Sequence, residues 1–429
     1  MGFPESYLLR ARRFLPLFLT QFFGAFNDNA FKLAMLTLIS YHVSNNLEQS
    51  QYYQAIAGAL FIVPFFLFSA TAGQLADKFD KARLTIGIKI FEMGLMIVGG
   101  FALYNESIVL MLITLTGMGV HSTFFGPIKY AILPDHLLRG ELLGATSLIE
   151  ASTFLAILLG TTLGTLSIGS SHPHVGYAVA LTNAIAVLGL VSSLFIPKAL
   201  PKKSDFKIDW RLWQATNNML RGSLHNYRIL PVIMTISWFW LIGAVMLTKL
   251  PDYTHYILMA QASVFAFFLA LFSIGIALGS IAIGHLLAGK ITLRYVPICM
   301  LFLSFFAFDL YLASPQSHTI QTLSPLLTFL SNWNNVRITT DFFFFSFSAG
   351  LFIVPLYTYI QVASQENMRA RTIATNNIFN ALFMLIGSGL VMLLLYLNMS
   401  IPMVFLILAI LNVFVALGLW MTLFRMKEL

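Results

Sequence analysis

Twelve stretches of mostly apolar residues, each long enough to cross a lipid bilayer, constrain this chain more than any other feature. A membrane-spanning helix needs about 20 such residues. Of the 429 residues, 58% are hydrophobic and only 10% are charged, whereas soluble domains carry about 25% charged residues. The sequence therefore predicts an all-α membrane protein with 12 transmembrane helices. Their predicted limits are residues 14–43, 52–76, 84–104, 107–132, 142–168, 176–196, 228–248, 259–287, 296–313, 340–363, 372–397 and 401–424.

The basic residues fall mainly in alternate loops between these stretches. With the N-terminus placed in the cytoplasm, 20 of the 25 Lys and Arg residues lie at the termini or in loops on that side. Only Lys249 and Arg337 fall in loops on the opposite side. Because cytoplasmic loops are enriched in basic residues, we expect both termini and the central loop to be cytoplasmic. Membrane topology thus accounts for the net charge of +8, and we expect no nucleic-acid partner.

An internal repeat divides the chain into two six-helix halves. Leu15-Pro16 at the start of the first stretch recurs as Leu230-Pro231 at the start of the seventh. Parallel repeats of this kind are a known plan of membrane transporters. We therefore expect an N-terminal bundle at residues 1–196, a cytoplasmic connector at 197–227 and a second bundle at 228–429. In the connector, Trp210, Trp213, Leu220 and Leu224 recur at helical spacing among basic residues, which predicts an amphipathic helix on the membrane surface.

The loop after the second stretch contains a recognisable motif, GQLADKFDKAR at residues 73–83. Gly73 permits close helix approach, and Asp77 can hold a charge-assisted hydrogen bond across helices. The segment resembles the G-x-L-a-D-r-x-G-r-r/k signature of the major facilitator superfamily. The resemblance implies that Gly73, Asp77 and Arg83 latch a cytoplasmic gate. Asp80 replaces the second glycine of the signature. We expect the loop to keep its turn at this position, because Asp tolerates left-handed backbone.

Ionisable residues deep in the predicted spans mark candidate functional positions, because burying a charge in a bilayer is costly. Asp28 and Lys32 are four residues apart, so they share a helix face and are expected to pair. A structural interhelical pair remains the alternative role for each such group, and Lys89, Lys129 and Asp135 could simply extend to the nearby interface. The deep groups are Asp28, Lys32, Glu92, Lys129 and Glu150.

The second half differs from the first, because its spans contain aromatic runs in place of charges. Residues 265–272, 302–308 and 342–345 are rich in Phe. A cavity with one polar and one apolar wall would suit an amphiphile with a zwitterionic head and one acyl chain. The alternative is that most of these Phe side chains face lipid.

Two segments carry a closer resemblance. Residues 21–32, QFFGAFNDNAFK, and residues 125–134, FGPIKYAILP, together with the surroundings of Glu150, resemble the bacterial lysophospholipid transporter (LplT) family. The resemblance implies a flippase of the bacterial inner membrane that moves lysophosphatidylethanolamine from the outer to the inner leaflet by alternating access. It also implies an acyltransferase, which is expected to be a separate partner because the chain ends at Leu429.

The resemblance suggests a role for each candidate substrate-binding residue. Asn27, Asp28 and Glu150 would face the ammonium end of the head group, and Lys32 or Lys129 would meet the phosphate, since Lys commonly binds phosphate. These assignments are hypotheses about individual side chains.

Two other classes of function remain open. A proton-coupled exporter of drugs or siderophores would use Asp28 or Glu150 as proton carrier, and a sensor on the same scaffold would move no substrate. We expect no enzyme, because the sequence shows no nucleophile with its base and no phosphate loop. We also expect no cofactor, no metal site and a monomer, and the single cysteine, Cys299, is expected to be a buried apolar residue.

Overall fold

The computed structural model describes residues 5–44, 46–169, 174–201, 206–224, 226–315 and 323–426. In these ranges the regular secondary structure is helical, apart from one isolated bridge between Ala260 and Ser324. Lys202, Lys203 and Lys427, which contribute to the charge argument, lie outside the described residues. The helices are α1 (Glu5–Leu8), α2 (Leu15–Leu38), α3 (Leu47–Lys78), α4 (Lys81–Tyr104), α5 (Ile108–Ala131), α6 (Leu133–His136), α7 (Leu142–Ile168), α8 (Val175–Leu194), α9 (Leu212–Leu224), α10 (Leu230–Asp252), α11 (Ala262–Leu287), α12 (Val296–Ala313), α13 (Leu326–Leu330), α14 (Trp333–Ala363), α15 (Arg369–Tyr396) and α16 (Ile401–Met426).

Each of the twelve predicted spans corresponds to a long helix in the described part of the chain. Eleven of these helices are long and apolar enough to cross a membrane. The exception is α2, which carries Gln21, Asn27, Asp28, Asn29 and Lys32. A helix surrounded by other helices does not need an apolar face toward lipid, and α2 packs against α5, α7 and α8 within its own bundle.

Two glycines bring α7 close to α2. A Cβ atom on Gly160 would collide with the backbone oxygen of Phe26, and one on Gly164 would collide with the backbone of Ala30. The Gly160-x3-Gly164 pair is therefore a helix-packing feature, because small residues let helix backbones approach closely in membranes.

The internal repeat extends to details of local structure. Thr20 donates its hydroxyl to the carbonyl of Pro16 at 2.7 Å, and Thr235 does the same to Pro231 at 2.8 Å. Both α2 and α10 then end in a five-residue π-helical turn, at Ile39–Val43 and Tyr253–Ile257. A π-helical turn is rare, so its occurrence at matching places strengthens the evidence for a duplicated unit.

The chain divides into two compact units. One contains the described residues of Phe3–Asn226 and also of Ile360–Ile378, which span the end of α14 and the start of α15. The other contains those of Tyr227–Tyr359 and Phe379–Leu429. The first unit therefore includes a short segment from the second half of the sequence, and this segment contacts the GQLADKFDKAR motif.

The connector contains a helix, α9, as the spacing of its apolar residues predicts. Its Ala215 and Thr216 are buried, and the Thr216 hydroxyl lies 3.4 Å from the backbone oxygen of Phe66 on α3. Trp210 and Trp213 are exposed, Trp213 by 82%. One face of this segment thus packs on the bundle, and the opposite face presents two indole rings to the surroundings.

Asp80 adopts a different conformation from the one expected. Its φ of −61° lies outside the left-handed region, so no glycine is needed at this position. The Asp80 carboxylate instead accepts hydrogen bonds from the backbone N–H groups of Ala82 and Ala199, both at 3.0 Å. It therefore caps α4 and holds the start of the connector.

Candidate functional site

A buried polar cluster forms where α2, α4 and α5 meet in the first bundle. Its centre is the carboxylate of Glu92, which accepts a hydrogen bond from Lys89 Nζ at 2.6 Å and another from Asn27 Nδ2 at 2.8 Å. Nε2 of His121 lies 3.1 Å from the same carboxylate. All four side chains are almost completely buried. Lys89 therefore does not extend to the interface, since its charge is neutralised inside the bundle.

Asp28 lies at the more accessible side of this cluster. Ser122 donates its hydroxyl to Oδ2 of Asp28, and Nδ1 of His121 lies 3.7 Å from Oδ1. The Asp28 side chain is 14% exposed, whereas those of His121 and Glu92 are about 1% exposed. Asn27 Oδ1, Asp28 Oδ1 and His121 Nδ1 are buried and make no hydrogen bond with described residues. The cluster therefore retains capacity to bind a polar group.

The expected pair between Asp28 and Lys32 is not formed. No oxygen of Asp28 lies within 4.0 Å of Lys32 Nζ, which lies instead 5.8 Å from the ring centre of Phe61. Asp28 is turned toward α5 by its contacts with Ser122 and His121. Lys32 is half-buried and is left available for another anionic partner.

Glu150 lies in a second buried group, between α5 and α7. It accepts a hydrogen bond from the hydroxyl of Tyr130. Lys129, the neighbour of Tyr130, is half-buried, and its Nζ lies 4.7 Å from the Tyr130 ring centre. Further along α7, Ser152 accepts a hydrogen bond from Gln21 of α2. Asn27 and Glu150 thus bind protein groups already, whereas Asp28, Lys32 and Lys129 remain partly accessible.

The motif at residues 73–83 holds the segment where α15 begins. The carboxylate of Asp77 accepts hydrogen bonds from the backbone N–H groups of Ala370 at 2.9 Å and Arg371 at 3.1 Å, and from Arg371 Nε at 3.0 Å. A Cβ atom on Gly73 would come within 2.8 Å of Ala374 and Arg371. Gly73 therefore permits the close approach on which the Asp77 contacts depend.

A second ion-pair group reinforces this contact. Asp135 binds Lys81 Nζ at 2.9 Å and Arg369 Nη1 at 3.4 Å. Asp135 thus bridges the motif to the start of α15 and does not extend to solvent. The neighbouring imidazole of His136 donates to the carbonyl of Lys198 at 3.3 Å. Burial lowers the pKa of His136, so this ring is neutral at neutral pH and adds no charge to the group.

Arg83 lies outside these contacts. Its side chain is 79% exposed and comes no closer than 4.0 Å to its nearest acid, Asp80. The guanidinium that binds Asp77 is that of Arg371, which also stacks on the ring of Phe206 at 4.2 Å. Phe206 belongs to the connector, and its carbonyl accepts a hydrogen bond from Lys78.

The sequence places few charges within the spans of the second bundle. Neutral side chains form hydrogen-bonded pairs there. Trp238 Nε1 donates to Asn412 at 2.9 Å, and Trp240 Nε1 donates to the hydroxyl of Tyr357 at 2.9 Å. A small apolar pocket lies in the same bundle. Its lining includes Phe239, Phe272, Phe345 and Phe352.

The Phe runs of the second half are divided between two environments. Phe268, Phe342 and Phe345 are buried in the bundle, whereas Phe302 and Phe305 are exposed. The runs therefore do not form a single apolar wall.

Two functional candidates could not be identified from the sequence, and a third could have been. His121 gives no signal because a single His in an apolar stretch has no pattern, and Arg371 lies almost 300 residues from Asp77. The partner of Lys89 could have been inferred, because Lys89 and Glu92 are three residues apart on one helix face. Among the described residues, no group of three His, Cys, Asp or Glu side chains could hold a metal ion.

Comparisons with known proteins agree with this architecture. The model of the Major Facilitator Superfamily matches residues 17–388. Two curated relatives named lysophospholipid transporter LplT, from Cronobacter sakazakii and Klebsiella pneumoniae, are each 26% identical to this chain, over 399 and 394 residues. In both cases the match covers 89% of this chain and 88% of the relative. An Escherichia coli relative of the same name is 32% identical over 48% of each chain.

Solved structures match over nearly the whole chain. The human organic anion transporter MFSD10 aligns with a TM-score of 0.72 at 14% identity, covering 96% of this chain and 99% of that chain. The proton:xylose symporter XylE aligns with a TM-score of 0.74 at 11% identity, covering 97% and 96%. At such low identity these two matches establish the fold alone.

Proposed function

Because this chain belongs to the major facilitator superfamily, we propose that it transports lysophospholipids of the lysophosphatidylethanolamine type across the bacterial inner membrane. Transport would proceed by alternating access, from the outer to the inner leaflet. The observation that carries this proposal is similarity across 89% of the chain to curated lysophospholipid transporters. Fold alone would not identify a substrate.

The geometry supports a zwitterionic head group as ligand. Asp28 is the acid of the buried cluster with partial exposure, and its Oδ1 makes no hydrogen bond with described residues. It would take the ammonium. Lys32 and Lys129 are half-buried and form no ion pair within 4.0 Å among the described residues, so either would take the phosphate. Asn27 and Glu150 would support the site through their bonds to Glu92 and Tyr130.

The gate contacts support alternating access. Asp77 and Asp135 each bind groups at the start of α15 through charge-assisted hydrogen bonds. Such contacts must break when the cytoplasmic side opens and form again when it closes. Gly73 and Asp77 would therefore act in the latch as the motif implies, and Arg371 would supply the cation expected of Arg83.

The remaining features of the proposal concern topology and partners. The distribution of basic residues supports cytoplasmic termini and a division into an N-terminal bundle at 1–196, a connector at 197–227 and a second bundle at 228–429. A monomer without catalytic activity that supplies lysolipid to a separate acyltransferase would fit this arrangement.

A proton-coupled exporter is the second candidate, because His121 lies between Asp28 and Glu92 in a geometry suited to proton exchange.

The deciding experiment measures uptake of labelled lysophosphatidylethanolamine by cells that lack their own lysophospholipid transporter, with and without this protein. Uptake that requires the protein is expected. Absence of uptake, with the protein confirmed in the membrane, would contradict the lipid assignment, and a screen of drugs and siderophores under a pH gradient would test the exporter.

A further inference from the structure

The connector crosses the latch between the motif at residues 73–83 and the start of α15. Phe206 stacks on the guanidinium of Arg371, whose Cζ lies 4.2 Å from the centre of the ring. The same guanidinium donates hydrogen bonds to the carboxylate of Asp77 and to the carbonyl of Asn367. The side chain of Arg371 is only 18% exposed. Phe206 therefore covers one face of the cation on which the latch depends.

This aromatic cover strengthens the latch in two ways. The face of the ring attracts the guanidinium directly, as aromatic faces attract cations. The ring also keeps water from one side of the ion pair, and charge-assisted hydrogen bonds are stronger where the effective dielectric constant is low. Loss of the ring would therefore remove an attraction to Arg371 and expose its bond with Asp77 to water.

The connector is held on α3 through its backbone. The carbonyl of Phe206 accepts a hydrogen bond from Lys78 Nζ at 3.3 Å. The backbone N–H of Asp209 donates to Oε1 of the buried Gln74 at 2.8 Å. The helix that follows, α9, also packs along α3. These contacts join an extended part of the connector to one helix of the first bundle.

Two side-chain contacts reach α15 from the same segment. One is the ring of Phe206 on Arg371, and the other is the approach of the Ser223 hydroxyl to that of Thr375 at 3.5 Å. Thr375 is 1% exposed. Stacked and hydroxyl contacts between side chains can part without a change in the backbone of either element. The connector is therefore built to remain on α3 when α15 moves.

We propose that the connector is a cover for the cytoplasmic latch and that Phe206 is the residue that positions Arg371 in it. When the cytoplasmic side opens, the connector stays on α3, and its contacts with Arg371 and Thr375 break. Phe206 acts through Arg371 and binds no substrate. The proposal rests on the alternating access proposed above and adds a third element to the latch between α3 and α15.

The first test measures how fast Thr375→Cys is labelled by a water-soluble maleimide in the full-length protein. The native Cys299 is buried and contributes little background. The labelling rate follows the fraction of molecules in which the connector has left α15. Phe206→Leu keeps an apolar side chain but removes the aromatic face, so labelling is expected to rise about fivefold. Phe206→Tyr keeps the aromatic face and should leave labelling slow.

The matched control is Trp213→Leu. It removes an aromatic ring of the same connector that is 82% exposed, so labelling of Thr375→Cys should not change. An equal rise in Trp213→Leu and Phe206→Leu would indicate general loosening and would overturn the proposal. Unchanged labelling in Phe206→Leu, or labelling in Phe206→Tyr as fast as in Phe206→Leu, would also overturn it.

The second test ties the connector to α15. Ser223→Cys with Thr375→Cys can form a disulfide, because the two hydroxyl oxygens lie 3.5 Å apart. The disulfide is expected to stop lysolipid uptake, and its reduction should restore uptake. Uptake that continues with the disulfide formed would contradict the cover. If the unaltered protein takes up no lysolipid, the transport function itself fails, whereas the labelling of Thr375→Cys still decides whether the connector covers the latch.

Discussion

At the scale of single residues, the pair of Lys89 and Glu92 has the clearest energetic consequence. Both charges are buried in the bundle at a separation of 2.6 Å. Asn27 donates a hydrogen bond to Glu92, and Nε2 of His121 lies 3.1 Å from the same carboxylate. A buried ion pair contributes little net stability compared with apolar residues of the same size, but removal of one partner leaves an uncompensated charge. Substitution of Lys89 or Glu92 alone is therefore expected to lower the stability of the protein.

Glu92→Gln is expected to destabilise the protein by about 3–5 kcal/mol, because Lys89 would remain buried without a counter-charge. Thermal unfolding of the purified protein in detergent measures the effect. The double variant Lys89→Met with Glu92→Met should recover most of the loss, because no charge is then stranded. A double variant no more stable than the single one would contradict the role of the ion pair.

The sequence predicted the burial of the deep ionisable residues better than it predicted their partners. Asp28, Glu92 and Glu150 all lie inside the first bundle, as their depth in the apolar stretches implies. The partners depend on helix rotation and packing, which a hydropathy pattern does not specify. Asp28 therefore contacts Ser122 and His121 rather than Lys32, although the four-residue spacing favours Lys32.

At the scale of elements, the start of α4 shows how a departure from a family motif can stabilise a local structure. Asp80 caps the helix and also holds Ala199 of the connector, and both functions need its carboxylate oxygen. Glycine at this position would restore the motif of the superfamily but would provide no acceptor.

Asp80→Gly is therefore expected to lower stability, by about 0.5–2 kcal/mol for loss of the cap and the connector bond. Asp80→Asn keeps an acceptor oxygen and should lose less. Denaturation of both variants against the unaltered protein provides the measurement. A glycine variant as stable as the unaltered protein would show that the carboxylate contributes nothing.

The latch between the motif and α15 makes a prediction about accessibility. Cys299 is buried, so a cysteine placed at the buried Ser364, near the start of α15, reports local opening with little background. Asp77→Asn removes the charge that binds Arg371. Labelling of Ser364→Cys from the cytoplasmic side is expected to rise about tenfold, because a charge-assisted bond contributes about 1.5–3 kcal/mol.

The control for this measurement is Asp209→Asn. Asp209 is an acid of the nearby connector that binds Arg211 at 3.0 Å and forms no hydrogen bond or ion pair with α15 among the described residues. Its loss should not change labelling of Ser364→Cys. An equal rise in both variants would indicate general loosening and would contradict a specific latch at Asp77.

At the scale of the whole molecule, the helix pattern followed from composition and length, since each predicted span corresponds to a long helix. The weakest of the twelve by composition, α2, is also the helix that carries the polar cluster. Its polar residues both lower its hydropathy and form part of the buried cluster with α4 and α5. The contact between residues 73–83 and the start of α15 was beyond the reach of the sequence, because it joins segments almost 300 residues apart.

The proposed topology can be tested with reporter fusions. Fusions after Leu200 in the connector or after Glu366 between α14 and α15 should activate a cytoplasmic reporter. Fusions after Glu106 between α4 and α5 should activate a reporter that works only outside the inner membrane. The opposite pattern would contradict the orientation inferred from the 20 basic residues on one side.

The most direct test of lipid transport follows a leaflet-specific signal in reconstituted vesicles. Labelled lysophosphatidylethanolamine added outside should become protected from an external quencher faster in vesicles that contain the protein than in protein-free vesicles. Asp28→Asn should reduce this rate about tenfold, as loss of one charge-assisted bond predicts. Asn29→Ala should not reduce it, because the hydrogen bond of the Asn29 side chain within the described ranges is to Ala25 of its own helix. Protection at the same rate with and without the protein would contradict transport of lysophospholipid.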